Sequence, residues 1–265
     1  MSIKKLAGAA FVVAAMVAAW AGIAKADALD DIISRGTIRV AIDTAAPPFG
    51  FMNENNEPDG SDVVSARLLA QDLGVKLEIV RTTSSNRIPY LTSGRVDLTM
   101  STLALNPERA KAVMFSSPYA IIRAVILAPK SVKIETPADL AGKKISVPRG
   151  TTNETDAVAI SPPGAEIIRF DDEAGAMTAL ASGQVDAYSV GEPLGLPLIK
   201  RYPERGYEAK IVLRLNYICV GIRRDQPEVA QWVNTWIHYH LHNDGQLKVI
   251  YKKFIGQELP PLPPL

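Results

Sequence analysis

The chain has 265 residues, 47% hydrophobic and 22% charged, with a formal net charge of +1. That is enough for two lobes of ordinary size, and the composition is that of a folded globular protein. A near-neutral balance without basic runs excludes an electrostatic footprint for nucleic acid or an anionic membrane surface.

The first segment reads as an address. Lys4 and Lys5 form a positive start, Leu6 to Ile23 is uncharged and rich in Ala, Val, Met and Phe, and Ala24-Lys25-Ala26 supplies a small-x-small cleavage site. A permanent membrane helix is the alternative, but the Ala-rich run and the A-x-A site favour a cleaved signal over residues 1–26. The mature chain is then expected to begin near Asp27 in an exported compartment, the periplasm. Cys219 is the only cysteine, so neither an intrachain disulfide nor a thiolate metal cluster is available. No cysteine stands at the cleavage site to carry a lipid, which points to a soluble mature protein.

Leu29 to Ser34 reads as a short helix stopped by Gly36, and TIRVAI, Thr37 to Ile42, as the first strand, ending at Asp43. Pro47-Pro48-Phe49 stays irregular, and Asn53 to Gly60 is a turn. Asp62 to Leu73 carries a helical apolar stripe closed by Gly74, and Lys76 to Val80 alternates as a second strand. Ser85 to Leu91 fits a helix that Pro89 keeps short. Val96 to Met100 is an apolar strand. Asn106-Pro107-Glu108-Arg109 then opens a helix, with Asn106 as cap and Pro107 first. Ile121 to Ala128 is continuously apolar, the pattern of a strand buried on both faces. Strands follow at Lys144 to Val147, Glu166 to Phe170 and Asp186 to Val190. They are separated by helices after Arg149–Thr155, over Asp172 to Ala181, and over Leu196 to Lys200. Lys210 to Leu215 and Tyr217 to Ile222 read as two strands, Pro227 to His242 and Leu247 to Phe254 as closing helices.

An internal echo divides the chain. LTSGRVD, Leu91 to Asp97, and LASGQVD, Leu180 to Asp186, differ at two of seven positions, and each precedes an apolar strand. Order repeats along with sequence, so the expectation is two similar α/β lobes. Residues 27–121 and 217–265 form lobe 1, and residues 122–216, inserted between two hinge strands, form lobe 2.

Facing lobes bring strand-end loops together, where open α/β sheets hold ligands. Lobe 1 offers Asp43, Phe49, Ser101, Thr102 and Arg109; an Arg fork there suits a carboxylate. Lobe 2 offers Thr151, Thr152 and Asn153 at a helix start, where backbone N–H groups favour an anion, and Glu192 in the turn after a strand. Thr capping is the alternative for the threonines. Asp43 and Glu192 are acceptors for an ammonium or guanidinium, with a turn-forming Asp and a solvated Glu as alternatives. Phe49 is either an apolar wall of the site or core. His238, His240 and His242 share one helix, but the H-E-x-x-H order is absent and no metal site is expected. No G-x-S-x-G, Walker loop or G-x-G-x-x-G appears, so neither a cofactor nor a catalytic set is expected.

Five stretches together carry a resemblance: LDDIISRGTIRVAIDTAAPPF, GSDVVSARLLAQDLGV, SGRVDLTMSTLALNPERAKAVMFSSPY, ADLAGKKISVPRGTTNET and ASGQVDAYSV. In order and spacing they resemble family 3 of the bacterial periplasmic solute-binding proteins, the polar amino-acid receptors of ABC importers. The resemblance implies the two-lobed type II periplasmic binding fold, each lobe a mixed sheet flanked by helices. It implies an amino-acid or small organic-acid ligand, a membrane permease as partner, and a monomer. It also implies that Arg109 takes the ligand's α-carboxylate, with Ser101, Thr102 and Thr152 beside it, and that Asp43 contacts a basic side chain in some members. The chain departs from the family where a covering aromatic becomes Ala46. It departs again where the acid for the α-ammonium falls at Gly191, with Glu192 one place on. The same resemblance extends to cyclohexadienyl and arogenate dehydratases, which need a cleft acid.

Overall fold

The computed structural model describes residues 27–263; the expected signal segment lies outside them. Asp27 caps α1 (Ala28–Arg35), its side chain accepting from the Asp30 N–H, and Gly36 at φ 67° ends it. There follow β1 (Thr37–Ile42), a small hairpin of β2 (Phe51–Met52) and β3 (Pro58–Asp59), α2 (Ser61–Asp72), β4 (Lys76–Arg81), α3 (Arg87–Thr92) and β5 (Leu98–Thr99). Pro89 sits in the first turn of α3, where its missing N–H costs nothing. Asn106 caps α4 (Pro107–Ala110), accepting from the N–H groups of Glu108 and Arg109.

The centre of the molecule is a pair of long strands, β6 (Val113–Pro129) and, after β7 (Lys144–Pro148), α5 (Thr152–Ile160), β8 (Glu166–Phe170), α6 (Glu173–Ser182), β9 (Ala187–Gly191) and α7 (Leu196–Arg201), β10 (Tyr207–Arg223). The chain closes with α8 (Pro227–His242) and α9 (Gln246–Ile255). The two strands expected at 210–215 and 217–222 are one, because Leu215, Asn216 and Tyr217 pair without a break with Arg123, Ile122 and Ile121 of β6. β6 likewise begins earlier than its apolar run, since Val113 and Met114 pair with Arg223 and Ile222.

The sheet order is β4-β1-β5-β10-β6-β9-β7-β8. Parallel β4, β1 and β5 flank the central pair on one side and parallel β9, β7 and β8 on the other, each group with its own helices. The fold is the mixed α/β type expected. The echo is structural as well. Asp97 Oδ2 accepts from the Arg39 N–H at the start of the β1 side, and Asp186 Oδ2 accepts from the Lys144 N–H on β7, each at 2.8 Å. Gly94 and Gly183 both take φ near +75°, 73° and 78°, so the chain turns identically out of each helix. Cys219 is fully buried in β10, and burial pushes its thiol up to about 12. No helix among the described residues is long and apolar enough to cross a membrane.

Candidate functional site

Parallel register aligns strand ends, and with them the loops that follow. Ile42 of β1 lies opposite Arg81 of β4, so the Asp43 turn and the Thr82–Arg87 segment leave the same sheet edge. Pro148 of β7 lies opposite Phe170 of β8, which sets the starts of α5 and α6 side by side. Between these two edges is a cavity lined by Ser84, Arg87, Thr102 and Ala104 from one half and by Thr151, Thr152, Asn153, Glu173, Gly191 and Leu194 from the other. Ile122, Asn216 and Ile218 of the central strands close its back. The halves are closed on each other: the free space is ≈ 20 Å³, and a Cβ on Gly150 would lie 3.1 Å from Ser85 Cα.

Arg87 is 3% exposed, and its Nη1 donates to the carbonyl oxygens of Ser101 (2.5 Å) and Thr102 (3.3 Å), while Nε has no partner. Asp62 grips the same turn from the other side, accepting from the Thr102 N–H at 3.0 Å and from the Tyr119 hydroxyl at 2.8 Å. Held between them, Thr102 adopts φ 47°, a left-handed conformation costly for a β-branched residue and sustained only by such fixed neighbours. Burial pushes the Asp62 carboxyl up to about 6 and outweighs its hydrogen bonds and the nearby Arg87.

Arg109 is half-buried and does not itself line the cavity; it lies beside it, bonded to the carbonyl of the lining residue Ala104. Its Nη1 donates to the Ala104 carbonyl oxygen (2.9 Å) and its Nη2 to that of Gly150 (2.8 Å), in the other half. Burial, with the like charges of Arg87 and Arg214, pushes its guanidinium down to about 9. Arg109 thus has two neutral acceptors and no carboxylate, an arrangement that favours an incoming anion.

The other expected site residues divide. Thr102, Thr151, Thr152 and Asn153 line the cavity. Thr151 also caps α5, its hydroxyl accepting from the Glu154 N–H. Asn153 is buried with Oδ1 unpartnered. Ser101 lies directly behind, accepting from the Asp43 N–H. Asp43 is buried beside them, with Oδ1 accepting from the Ala45 N–H and Oδ2 unpartnered. Phe49 is packed in the core. Glu192 points away from the cavity, paired with Arg123 through both carboxylate oxygens at 2.5 and 2.7 Å. Among the described residues no group of His, Cys, Asp and Glu is placed to hold a metal, and His240 is buried between Asp72 and Asp244 while His238 and His242 are exposed.

Sequence reasoning missed Arg87 and Glu173. Each opens a helix, where a charged residue reads as solvated; only the paired strand ends reveal that both helices start over one cavity. Glu173 is 5% exposed, and one of its oxygens accepts from the Tyr188 hydroxyl. Burial pushes its carboxyl up to about 7.

A mixed sheet with two crossing strands and a polar cavity between facing strand ends defines a two-lobed binding protein. Residues 38–257 match the bacterial extracellular solute-binding proteins, family 3, and the chain belongs to that family. It is 28% identical to the L-cystine-binding protein TcyJ of Escherichia coli (strain K12), over 87% of each chain. It is 30% identical to the L-arginine-binding protein of Pseudomonas aeruginosa, over 83% of this chain and 88% of that one. Among solved structures, an ancestral amino acid-binding protein described as a precursor of cyclohexadienyl dehydratase superposes with TM-score 0.78 at 35% identity, covering 86% of this chain and 99% of that one. The solute receptor for L-cysteine of Neisseria gonorrhoeae superposes with TM-score 0.79 at 31% identity, over 85% and 92%.

Proposed function

We propose that this chain is the extracytoplasmic receptor of an ABC importer, exported by a signal cleaved near Ala26 and acting as a monomer. It closes two lobes on a small carboxylate-bearing ligand, an amino acid, and presents it to a membrane permease. Lobe 1 comprises residues 27–121 and 217–265, lobe 2 residues 122–216. The hinge is the central strand pair, β6 and β10, whose register shifts offer places for the backbone to bend. The observation that carries this reading is Arg109: a guanidinium beside the cavity bonded only to carbonyl oxygens, one from each half. A ligand carboxylate would take those donors. Family membership and relatives named for cystine, glutamine and arginine support an amino acid.

A binding role is favoured over a dehydratase one by the relatives named as cystine-, glutamine- and arginine-binding proteins. Glu192 is paired with Arg123 outside the cavity, so Glu173 is the cavity acid a dehydratase would have to use. The test is a thermal-shift screen with L-cystine, L-glutamine, L-arginine, other amino acids and small organic acids, since a ligand bound only to the native state raises Tm. The same samples are incubated with prephenate and arogenate. A Tm rise with an amino acid and no aromatic product supports the receptor; turnover to an aromatic product, or no shift with any amino or organic acid, rejects it.

A further inference from the structure

We propose that Glu173 accepts the ligand's ammonium group, so that the site takes a zwitterion with its carboxylate toward Arg109 and its amine toward α6. This rests on the receptor reading above. Glu173 is the one carboxylate among the described residues that line the cavity. One of its oxygens accepts from the Tyr188 hydroxyl, and the other accepts no hydrogen bond from the described residues. Arg87, the cation on the same cavity, does not donate to it, because its Nη1 is turned to the backbone of Ser101 and Thr102. Asn153, on the adjoining helix start, adds a buried side-chain oxygen with no partner. An ammonium brings three donors and no acceptor, which is what two unfilled acceptors on one wall require.

Other acids are unavailable. Glu192 is tied to Arg123, Asp156 to Arg214, and Asp43, though buried nearby, does not line the cavity. Gly191, at the end of β9, has no side chain to offer, and a Cβ there would lie 2.6 Å from Ile122 Cγ2. The position is therefore packed against the hinge strand. The acceptor comes instead from the start of the neighbouring helix.

The charges that face Glu173 set how binding is linked to protons. Burial raises its carboxyl to about 7. The Tyr188 hydrogen bond and Arg87 oppose the rise, and Asp43 and Asp172 add to it. An ammonium in contact favours the ionised form, so an amine ligand releases a proton on binding near neutral pH and binds more tightly as pH rises toward 8. A ligand that placed its carboxylate there would do the reverse and take a proton up.

The probes are glycine, the smallest zwitterion of this kind, and its two halves, methylammonium and acetate. The readout is the carboxyl carbon resonance of Glu173 in carbon-13-labelled protein, titrated with each probe at saturation and assigned by through-bond spectra. Glycine and methylammonium are expected to lower the Glu173 midpoint by roughly one unit or more, with acetate leaving it in place. Glu173→Gln, which keeps the acceptor for Tyr188, is expected to weaken glycine binding by at least about tenfold. The wild-type titration decides the matter even if that variant does not fold. A midpoint unmoved while glycine raises the Tm of the wild type but not of Arg109→Ala overturns the role of Glu173 and leaves the receptor reading standing. A midpoint that rises overturns it too, by placing the anion at Glu173. No response of either kind to glycine overturns the Glu173 role and leaves the receptor to its own screen.

Discussion

The Arg109 guanidinium of α4 donates to the carbonyl oxygen of Gly150, in the loop before α5, across 2.8 Å and between the two halves of the molecule. On the proposed reading this contact would link recognition to closure, because a ligand that took the Arg109 donors would bear on the same loop that begins the α5 wall. Arg109→Ala is expected to cost on the order of 3 kcal/mol of ligand affinity, since it leaves a buried carboxylate without its cation. Arg109→Lys is expected to recover only part of it, for an ammonium cannot reproduce the fork. Titration calorimetry with the best ligand from the screen measures both; affinity unchanged in the Ala variant removes Arg109 from the site.

Stability is expected to fall as pH rises from about 4.5 to about 7. Asp62 and Glu173 have folded-state values of about 6 and about 7, above the ordinary carboxylate range, because burial penalises their charged forms. Across that window the folded chain holds protons that the unfolded chain has already released, so their contribution is full at the acid end and lost as pH passes the folded values. Scanning calorimetry should show Tm several degrees lower at pH 8 than at pH 5. The difference should shrink in Glu173→Gln; a Tm that climbs over the range contradicts the assignment.

Gly60→Ala is expected to be severely destabilising, on the order of 3 kcal/mol or more. Gly60 has φ 122°, and a Cβ there would lie 2.3 Å from the Phe49 carbonyl oxygen, which accepts from the Asp62 N–H. The clash displaces Asp62 and thereby the Thr102 turn at the cavity. Urea unfolding gives the cost, and a near-wild-type midpoint would show that the loop yields freely.

Asp72 ties α2 to α8. Its Oδ2 accepts from Trp236 Nε1 at 2.8 Å and lies 2.7 Å from His240 Nε2, while Asp244 meets His240 Nδ1. Asp72→Ala leaves the buried Trp236 and His240 nitrogens without an acceptor and is expected to cost about 2 kcal/mol in urea unfolding. Asp72→Asn, which retains an oxygen, should lose less. Equal losses in the two variants would assign the effect to something other than the acceptor.

The fold was legible because the sequence states its periodicity twice. Asp97 and Asp186 stand at the same place in two similar segments, and each accepts from a backbone N–H of its own half's neighbouring strand, Arg39 of β1 and Lys144 of β7, so the echo carried real topology. The unbroken course of β10 was not legible: Asn216 separates two apolar runs in the sequence, yet Leu215, Asn216 and Tyr217 pair with β6 in continuous register. At the site, residues close to a recognisable segment were placed near the cavity, Thr102 and Thr151 among them. Glu192 illustrates the limit, since a residue after a strand can turn either way, and its choice of Arg123 depends on a strand 69 positions earlier. Arg87 and Glu173 were hidden for a complementary reason: burial of a charge is a property of what surrounds it, and the local sequence of a helix start does not carry that information.

Cys219 lies sealed inside β10 with its thiol held far from ionisation. A maleimide dye offered to the native chain therefore has nothing to attack, and a cysteine introduced at exposed Ser85, on the rim facing Gly150, would be the sole labelling point. A single fluorophore there would report opening and closing of the cleft directly, with the wild-type cysteine left in place.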